Sequence, residues 1–270
     1  EKVPAGADWI IADELGIEPI DGESWSLAQD ALPTAISDPE GLANGNPESF
    51  VGLVEGLVLS GLAMQKYRMS SRPASGAGHQ FSHLWEMEHL GMNQAPPLTH
   101  GFKVGLGTIS VLALWEKVLE HDFATLDVDA AVAEWPSAEE MEAKVRANFT
   151  GDMLEPAVKQ TMDKYLDADA LRERLELVKS KWPTIQERCR AQVMPATRVE
   201  DIIKAVGGIY HPAQIGLTRE RFHDTYYRCQ MIRSRYTLLD LLIETGTISD
   251  FVEPLFESDG FWGQRPWPQD

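Results

Sequence analysis

Apolar residues along this chain recur at three- and four-residue spacings and almost nowhere in strict alternation. Such spacing stacks side chains on one face of a 3.6-residue turn, so it predicts amphipathic helices and not half-buried strands. Gly6–Leu15 reads as a short helix, and Ser24–Ile36 as a second one broken near Pro33. Asn46-Pro47-Glu48 is a start signal, because proline in the first helical position gives up an N–H that has no partner there anyway. The helix it opens carries Phe50, Leu53, Val54, Leu57 and Val58, which the spacing predicts as a buried stripe. Met69-Ser-Ser-Arg-Pro-Ala-Ser-Gly76 is turn-rich, with Ser75 or Gly76 placed to cap a helix running to about Leu90. Gly91–Pro97 reads as a loop, followed by a long helix from about Leu98 to Glu120.

Beyond Glu120 the helical period continues on a more polar background. Helices there are expected to be separated by Trp135-Pro136, Trp182-Pro183 and Met194-Pro195. Ala168–Lys181 sets Glu against Arg or Lys at helical spacing, the pattern of a solvated face held by ion pairs. The last apolar helix is Tyr236–Thr245, closed by Gly246. No stretch alternates long enough for a strand, and no internal repeat is present. The expectation is an all-α chain in three parts. Residues 1–121 form the first part of a helical core, 122–195 a polar helical insertion or peripheral layer, and 196–270 the helices that complete the core.

Composition narrows the function classes. At 270 residues, 43% hydrophobic and 24% charged, the chain can bury one sizeable core. Its formal net charge of −18 repels nucleic acid, and the Arg residues from Arg219 to Arg235 are interleaved with Glu220, His223 and Asp224, so no basic face forms. The most apolar stretches, Phe50–Met64 and Val104–Leu119, are interrupted by Gly, Ser or Glu; they read as core helices, and no membrane span is expected. Two cysteines, Cys189 and Cys229, make neither a disulfide framework nor a metal-ligand spacing. With no signal peptide recognisable, a reducing cytoplasm is the expected location. The chain opens Glu-Lys-Val without an initiator Met, which points to a processed, truncated or fragmentary N-terminus.

Candidate chemistry gathers around four of the seven histidines: His79, His83, His89 and His100. His79 and His83 project from one helix face a turn apart, and His100 sits at the mouth of the next long helix. Neutral imidazole is a ligand for zinc, nickel or iron. A catalytic metal also wants a third protein ligand, commonly a carboxylate. Glu86 and Glu88 lie seven and nine residues past His79, about two turns away, and neither is an obvious partner. The residues alone give two ligands and no third. His89 reads as surface or loop-facing; His121, His211 and His223 read as structural, the eight tryptophans as packing anchors, and Arg233, Arg235 and Asp240 as an interhelical set.

Ser71-Arg-Pro-Ala-Ser-Gly-Ala-Gly-His79-Gln-Phe-Ser-His83-Leu-Trp-Glu-Met-Glu-His89, followed by His100-Gly-Phe-Lys-Val-Gly-Leu-Gly-Thr108, resembles the signature of sn-glycerol-1-phosphate dehydrogenases. These enzymes share a superfamily with dehydroquinate synthase, glycerol dehydrogenase and iron-containing alcohol dehydrogenase. Ala5-Gly-Ala-Asp-Trp9, the Gly56–Met64 helix and Ile232-Arg-Ser-Arg-Tyr-Thr-Leu-Leu-Asp240 extend the resemblance over most of the chain. It implies a dehydroquinate synthase-like C-terminal metal-binding helical domain, with His79 and His100 as metal ligands and His83 beside the substrate as proton relay. It also implies Arg72 and Lys103 toward the substrate phosphate. The implied reaction is NAD(P)-linked interconversion of dihydroxyacetone phosphate and sn-glycerol 1-phosphate by a homodimer using zinc, nickel or iron.

Two departures accompany the resemblance. The family usually has a Glu directly before the first metal histidine, where this chain has Gly78, so support of that ligand is in question. The family's metal-ligating Asp, in a Gly-x-Gly-Asp turn, and the Gly-rich motif of the NAD(P)-binding α/β domain both belong upstream of the segment matching Glu1–Trp9, and neither is in this sequence. Asp8 matches a non-ligand position. The isolated chain is therefore expected to be inactive without a cofactor domain. Two other readings stand beside this one: a non-catalytic helical module or one chain of a split enzyme, and a polyol (glycerol-type) dehydrogenase.

Overall fold

The computed structural model describes residues 1–68 and 70–268; Met69, which opens the turn-rich stretch, lies outside them. The chain is 69% helical and contains no strand among the described residues, as the apolar spacing predicts.

The Lys2–Glu14 helix runs through the centre, with every residue from Val3 to Ala12 buried. A helix buried on all sides is a core element and needs its polar groups paired. Asp8, fully buried, meets that need in the other direction. Its Oδ2 accepts from the backbone N–H of Ala77 at 2.7 Å and its Oδ1 from that of Leu238 at 2.9 Å, so one carboxylate joins three helices. Against this helix pack Ala77–Met87 and Ala168–Gln192, the second tied through Arg188 to Asp13 and Glu14 at 2.9 and 2.6 Å. Ala77–Met87 lies along His100–Val118, and their shared core contains Phe81, Trp85, Leu112, Trp115, Phe222 and Tyr226. The ring of Phe81 stands edge-on to Trp85 and Tyr226 at 5.7 and 4.8 Å, an arrangement aromatic quadrupoles favour. Trp85 donates to Thr225 Oγ1 at 3.0 Å and Trp262 to the Tyr226 hydroxyl at 2.9 Å, so these tryptophans are packing anchors with their one polar atom satisfied.

The segment 122–195 contributes to the same core through Phe123, Leu171, Leu175, Val178, Trp182 and Ile185, while its outer face carries ion pairs such as Arg146 with Glu142 and Glu155. Trp182-Pro183 does not separate two helices there: both residues lie inside Ala168–Gln192. Trp182 is fully buried and donates to the His121 carbonyl at 3.1 Å, which anchors the helix directly before the proline. A further helix, Ile248–Phe256, follows Gly246 and was not anticipated beyond Thr245.

The clearest correction concerns Pro47–Lys66. Its start is as expected, with the Asn46 side chain accepting from Glu48 N at 3.1 Å. Its large apolar residues are not core: Val54 is 53% and Leu57 58% exposed, and Phe50, Val51, Val58 and Leu62 are exposed as well. The buried positions are Gly56, Ser60 and Ala63. Packing goes through the small stripe because it lets the helix sit close to Leu32–Ala35, where a Cβ on Gly56 would come 3.0 Å from Ala35 Cβ. By length and composition this helix could also cross a membrane, so the absence of any such stretch is not borne out.

Replacing Asp8 with Ala orphans two buried N–H groups and should cost about 2–5 kcal/mol in urea unfolding; a loss under about 0.5 kcal/mol would mean that the carboxylate is not what joins these helices. Glu244 gives a pH signature. It accepts from the Tyr236 hydroxyl at 2.7 Å, and burial, opposed by Arg174 and that hydrogen bond, pushes its carboxyl up to about 7. The folded state then binds this proton more tightly than the unfolded chain. Its stabilising share is full below the ordinary value of 4.5 and is lost as pH rises through about 7. The Tm deficit of Glu244→Gln should therefore narrow between about pH 5.5 and pH 8; a deficit that widens would contradict the assignment.

Candidate metal centre

The site forms where two helix starts are held together. Ala77–Met87 begins after Gly76 with no side chain of its own capping it. Its first N–H groups go instead to carboxylates on the opening helix: Gly76 N to Glu1 Oε1 at 2.9 Å, and Ala77 N to Asp8. Arg235 fixes the preceding turn, donating to the carbonyl and hydroxyl of Ser75 at 2.9 and 2.7 Å and to the Ser71 hydroxyl at 2.8 Å. The neighbouring helix then approaches backbone to backbone. A Cβ on Gly107 would collide with the Gly78 carbonyl, so only glycine permits this contact.

That approach brings the three histidines together. The imidazole centroids of His79 and His83 are 5.9 Å apart, those of His79 and His100 5.4 Å, and those of His83 and His100 5.5 Å. Each ring has its Nδ1 at a carboxylate oxygen: His79 3.3 Å from Glu1 Oε1, His83 3.3 Å from Glu86 Oε2, and His100 2.8 Å from Glu86 Oε1. Lys103, almost wholly buried, places its Nζ 3.8 Å from Glu86 Oε1. Burial alone would raise the Glu86 carboxyl, but the His100 hydrogen bond and the charges of His100 and Lys103 outweigh it and hold the group below its ordinary value. Burial pulls His83 the other way, toward the neutral imidazole, with the Arg233 and His79 charges adding to it and Glu86 opposing.

The donor set suits a divalent transition metal. Ligating histidines characteristically present one ring nitrogen to the ion and the other to a carboxylate, which fixes ring orientation. Here three Nδ1 atoms are turned to carboxylates and three Nε2 atoms remain. Donor atoms of His83, Glu86 and His100 lie within 4.8 Å of one another, a group that leaves His79 out and counts Glu86 as a ligand; with Glu86 engaged by two Nδ1 atoms, the imidazoles are the better ligands.

Among the sequence candidates, His79, His83, His100 and Lys103 thus converge. Arg72 does not join them: it is fully buried, with its Nε on Glu18 Oε2 at 2.7 Å, while Nη1 and Nη2 have no hydrogen-bond partner. His89 is exposed, in a left-handed conformation with φ 58°, and contacts Met92. Glu86 and Glu1 were missed. Measured from His79, Glu86 is about two turns off; measured from His83 it is three residues on, on the same face, and His100 spans the gap from the other helix. Glu1 carries no local signal at all.

An all-α domain built around a histidine–carboxylate cluster is what fold and site define, and comparison with known proteins gives it relatives. The chain is 29% identical over 246 residues to glycerol-1-phosphate dehydrogenase [NAD(P)+] of Geobacillus thermodenitrificans, covering 90% of this chain and 50% of that protein. The protein of that name from Archaeoglobus fulgidus is 30% identical over 181 residues, 67% of this chain and 47% of its own. The one from Bacillus velezensis is 39% identical over 125 residues, 44% and 31% respectively. No family model matches the chain, and no solved structure matches it. The chain is thus a homologue of the glycerol-1-phosphate dehydrogenases, and it spans half or less of the length of these relatives.

Replacing Glu86 with Ala releases the Nδ1 atoms of two histidines together. Zn²⁺ affinity in equilibrium dialysis should fall by about 10–100-fold; wild-type affinity in that variant would remove Glu86 from the centre.

Proposed function

We propose that this chain is the metal- and substrate-holding helical half of an NAD(P)-linked dehydrogenase that interconverts dihydroxyacetone phosphate and sn-glycerol 1-phosphate. One observation carries the reading: in a chain similar to proteins of that name, the three histidines of the motif meet, each ring backed by a carboxylate.

In this reading His79 and His100 would hold the ion, zinc, nickel or iron. When bound, such an ion supplies Lewis-acid polarisation of a carbonyl or alkoxide oxygen. His83 stands within ring-contact distance of both and is held toward its neutral form by burial, so it can accept the proton of the alcohol and return it in the reverse direction. Glu86 fixes the orientation of His83 and His100 by accepting from their Nδ1 atoms. Lys103, at the same carboxylate, is the cation within reach of a substrate phosphate. Arg72, fully buried and fastened to Glu18 outside the cluster, is not part of this phosphate site. NAD(P) is held by an α/β domain facing this half, and the third ligand, an Asp, comes from the segment joining the two.

The test joins this half to its NAD(P)-binding domain and follows NADH or NADPH oxidation with dihydroxyacetone phosphate. His79→Ala should lose bound metal and activity together, while the isolated half should bind no NADH. Activity retained at wild-type metal content would refute the assignment, and a preference for unphosphorylated dihydroxyacetone would move it to a polyol dehydrogenase.

A further inference from the structure

Glu1 begins the central helix, some eighty residues from the histidine motif, and its carboxylate lies inside that motif. Oε1 accepts from Gly76 N at 2.9 Å, approaches His79 N at 3.3 Å, and stands 3.3 Å from His79 Nδ1. Oε2 lies 3.0 Å from the Thr108 hydroxyl on the second histidine helix. The space it fills is the space a side chain at position 78 would need. A Cβ on Gly78 would collide with Glu1 Oε2 and come 3.1 Å from the Gly107 carbonyl carbon. The Glu1 carboxylate and a side chain at 78 therefore exclude one another.

We infer that Glu1 is the positioning residue of His79, holding its Nδ1–H so that Nε2 faces the centre, and that position 78 is glycine to admit this carboxylate. The question raised by a glycine directly before a metal histidine is answered from the opening helix: the carboxylate is present, supplied by a residue distant in sequence. The arrangement matches what Glu86 does for His83 and His100, so all three rings are set by carboxylates from two different helices. This inference rests on the proposed metal-binding role of His79.

The Nδ1 of His79 is buried, and among the described groups the Glu1 carboxylate is the acceptor beside it, at 3.3 Å without an aligned hydrogen bond in this conformation. A carboxylate at that position favours the Nδ1–H tautomer, whereas an unconstrained neutral imidazole prefers Nε2–H. Capping the helix start would not set the tautomer, and that difference separates a positioning role from a purely structural one.

The experiment reads the His79 tautomer from long-range ¹H–¹⁵N spectra of the metal-free protein, and Zn²⁺ affinity by competition with a chromophoric chelator. Wild type should show Nδ1–H. Glu1→Ala should shift His79 to Nε2–H and weaken Zn²⁺ binding about tenfold. Gly78→Ala, by displacing the carboxylate, should produce the same shift and loss, and Glu1→Ala/Gly78→Ala should lose no more than Glu1→Ala alone. Since Gly78 also faces the Gly107 backbone, Glu1→Ala and Glu1→Gln carry the test where Gly78→Ala does not fold. A tautomer unchanged in Glu1→Ala, or losses that add in the double variant, overturns the inference. A tautomer shift in Glu1→Ala, where the wild type binds no Zn²⁺, would uphold Glu1 as the residue that sets His79 while removing the metal-site reading.

Discussion

The structure depends on two buried carboxylates of one helix reaching the start of another. Asp8 and Glu1 take the first N–H groups of Ala77–Met87, and Asp8 takes that of Leu238 as well. A helix start deep in a core has unpaired donors that water cannot reach, and leaving them unmet would cost more than most single contacts supply. Side chains from the central helix meet them, and the geometry of the site follows. The helix that carries His79 and His83 can begin only where those carboxylates are; its N–H groups favour their ionised forms, although burial still pushes Asp8 up to about 7.

Depth of packing sets the second constraint. Two helices whose backbones touch at Gly78 and Gly107 bring their side chains closer than helices separated by ordinary residues. Imidazole, a short side chain, then reaches across from both sides, and centroids near 5.5 Å result without any long flexible ligand. Rigid elements and short side chains are what a metal centre needs for fixed ligand geometry. Fold and chemistry share one cause here: the glycines that allow close packing also make the cluster.

Helical class, the histidine pair on one face and the entry of His100 from the next helix were legible in the sequence because each is a matter of local spacing. What escaped was nonlocal. Glu86 was measured against the wrong histidine, since only the second helix makes it a neighbour of His100. Glu1 carried no signal, because its role depends on an absence of side chain at Gly78, seventy-seven residues away. Pro47–Lys66 misled for a different reason: periodicity marks an apolar face, but shape decides which face packs, and the small stripe of Gly56, Ser60 and Ala63 fits its neighbours more closely than Phe50, Val54 and Leu57.

Electrostatics bear on the proposed phosphorylated substrate. The chain as a whole is strongly acidic, with a formal net charge of −18, so a dianion approaching it meets repulsion almost everywhere. At the histidine cluster cations stand among the carboxylates. Lys103 is held at Glu86, and the charge of Arg233 is felt at His83. A lysine buried to this degree is seldom kept unless its charge is used or paired, and at 3.8 Å Glu86 is a loose partner already shared with two histidines. A phosphate entering beside His83 would compete for Lys103 on favourable terms, and it would leave Glu86 free to hold the imidazoles. Cations placed inside an acidic shell would favour a phosphate there over elsewhere on the surface, the discrimination that the proposed phosphorylated ketone requires and an uncharged polyol would not.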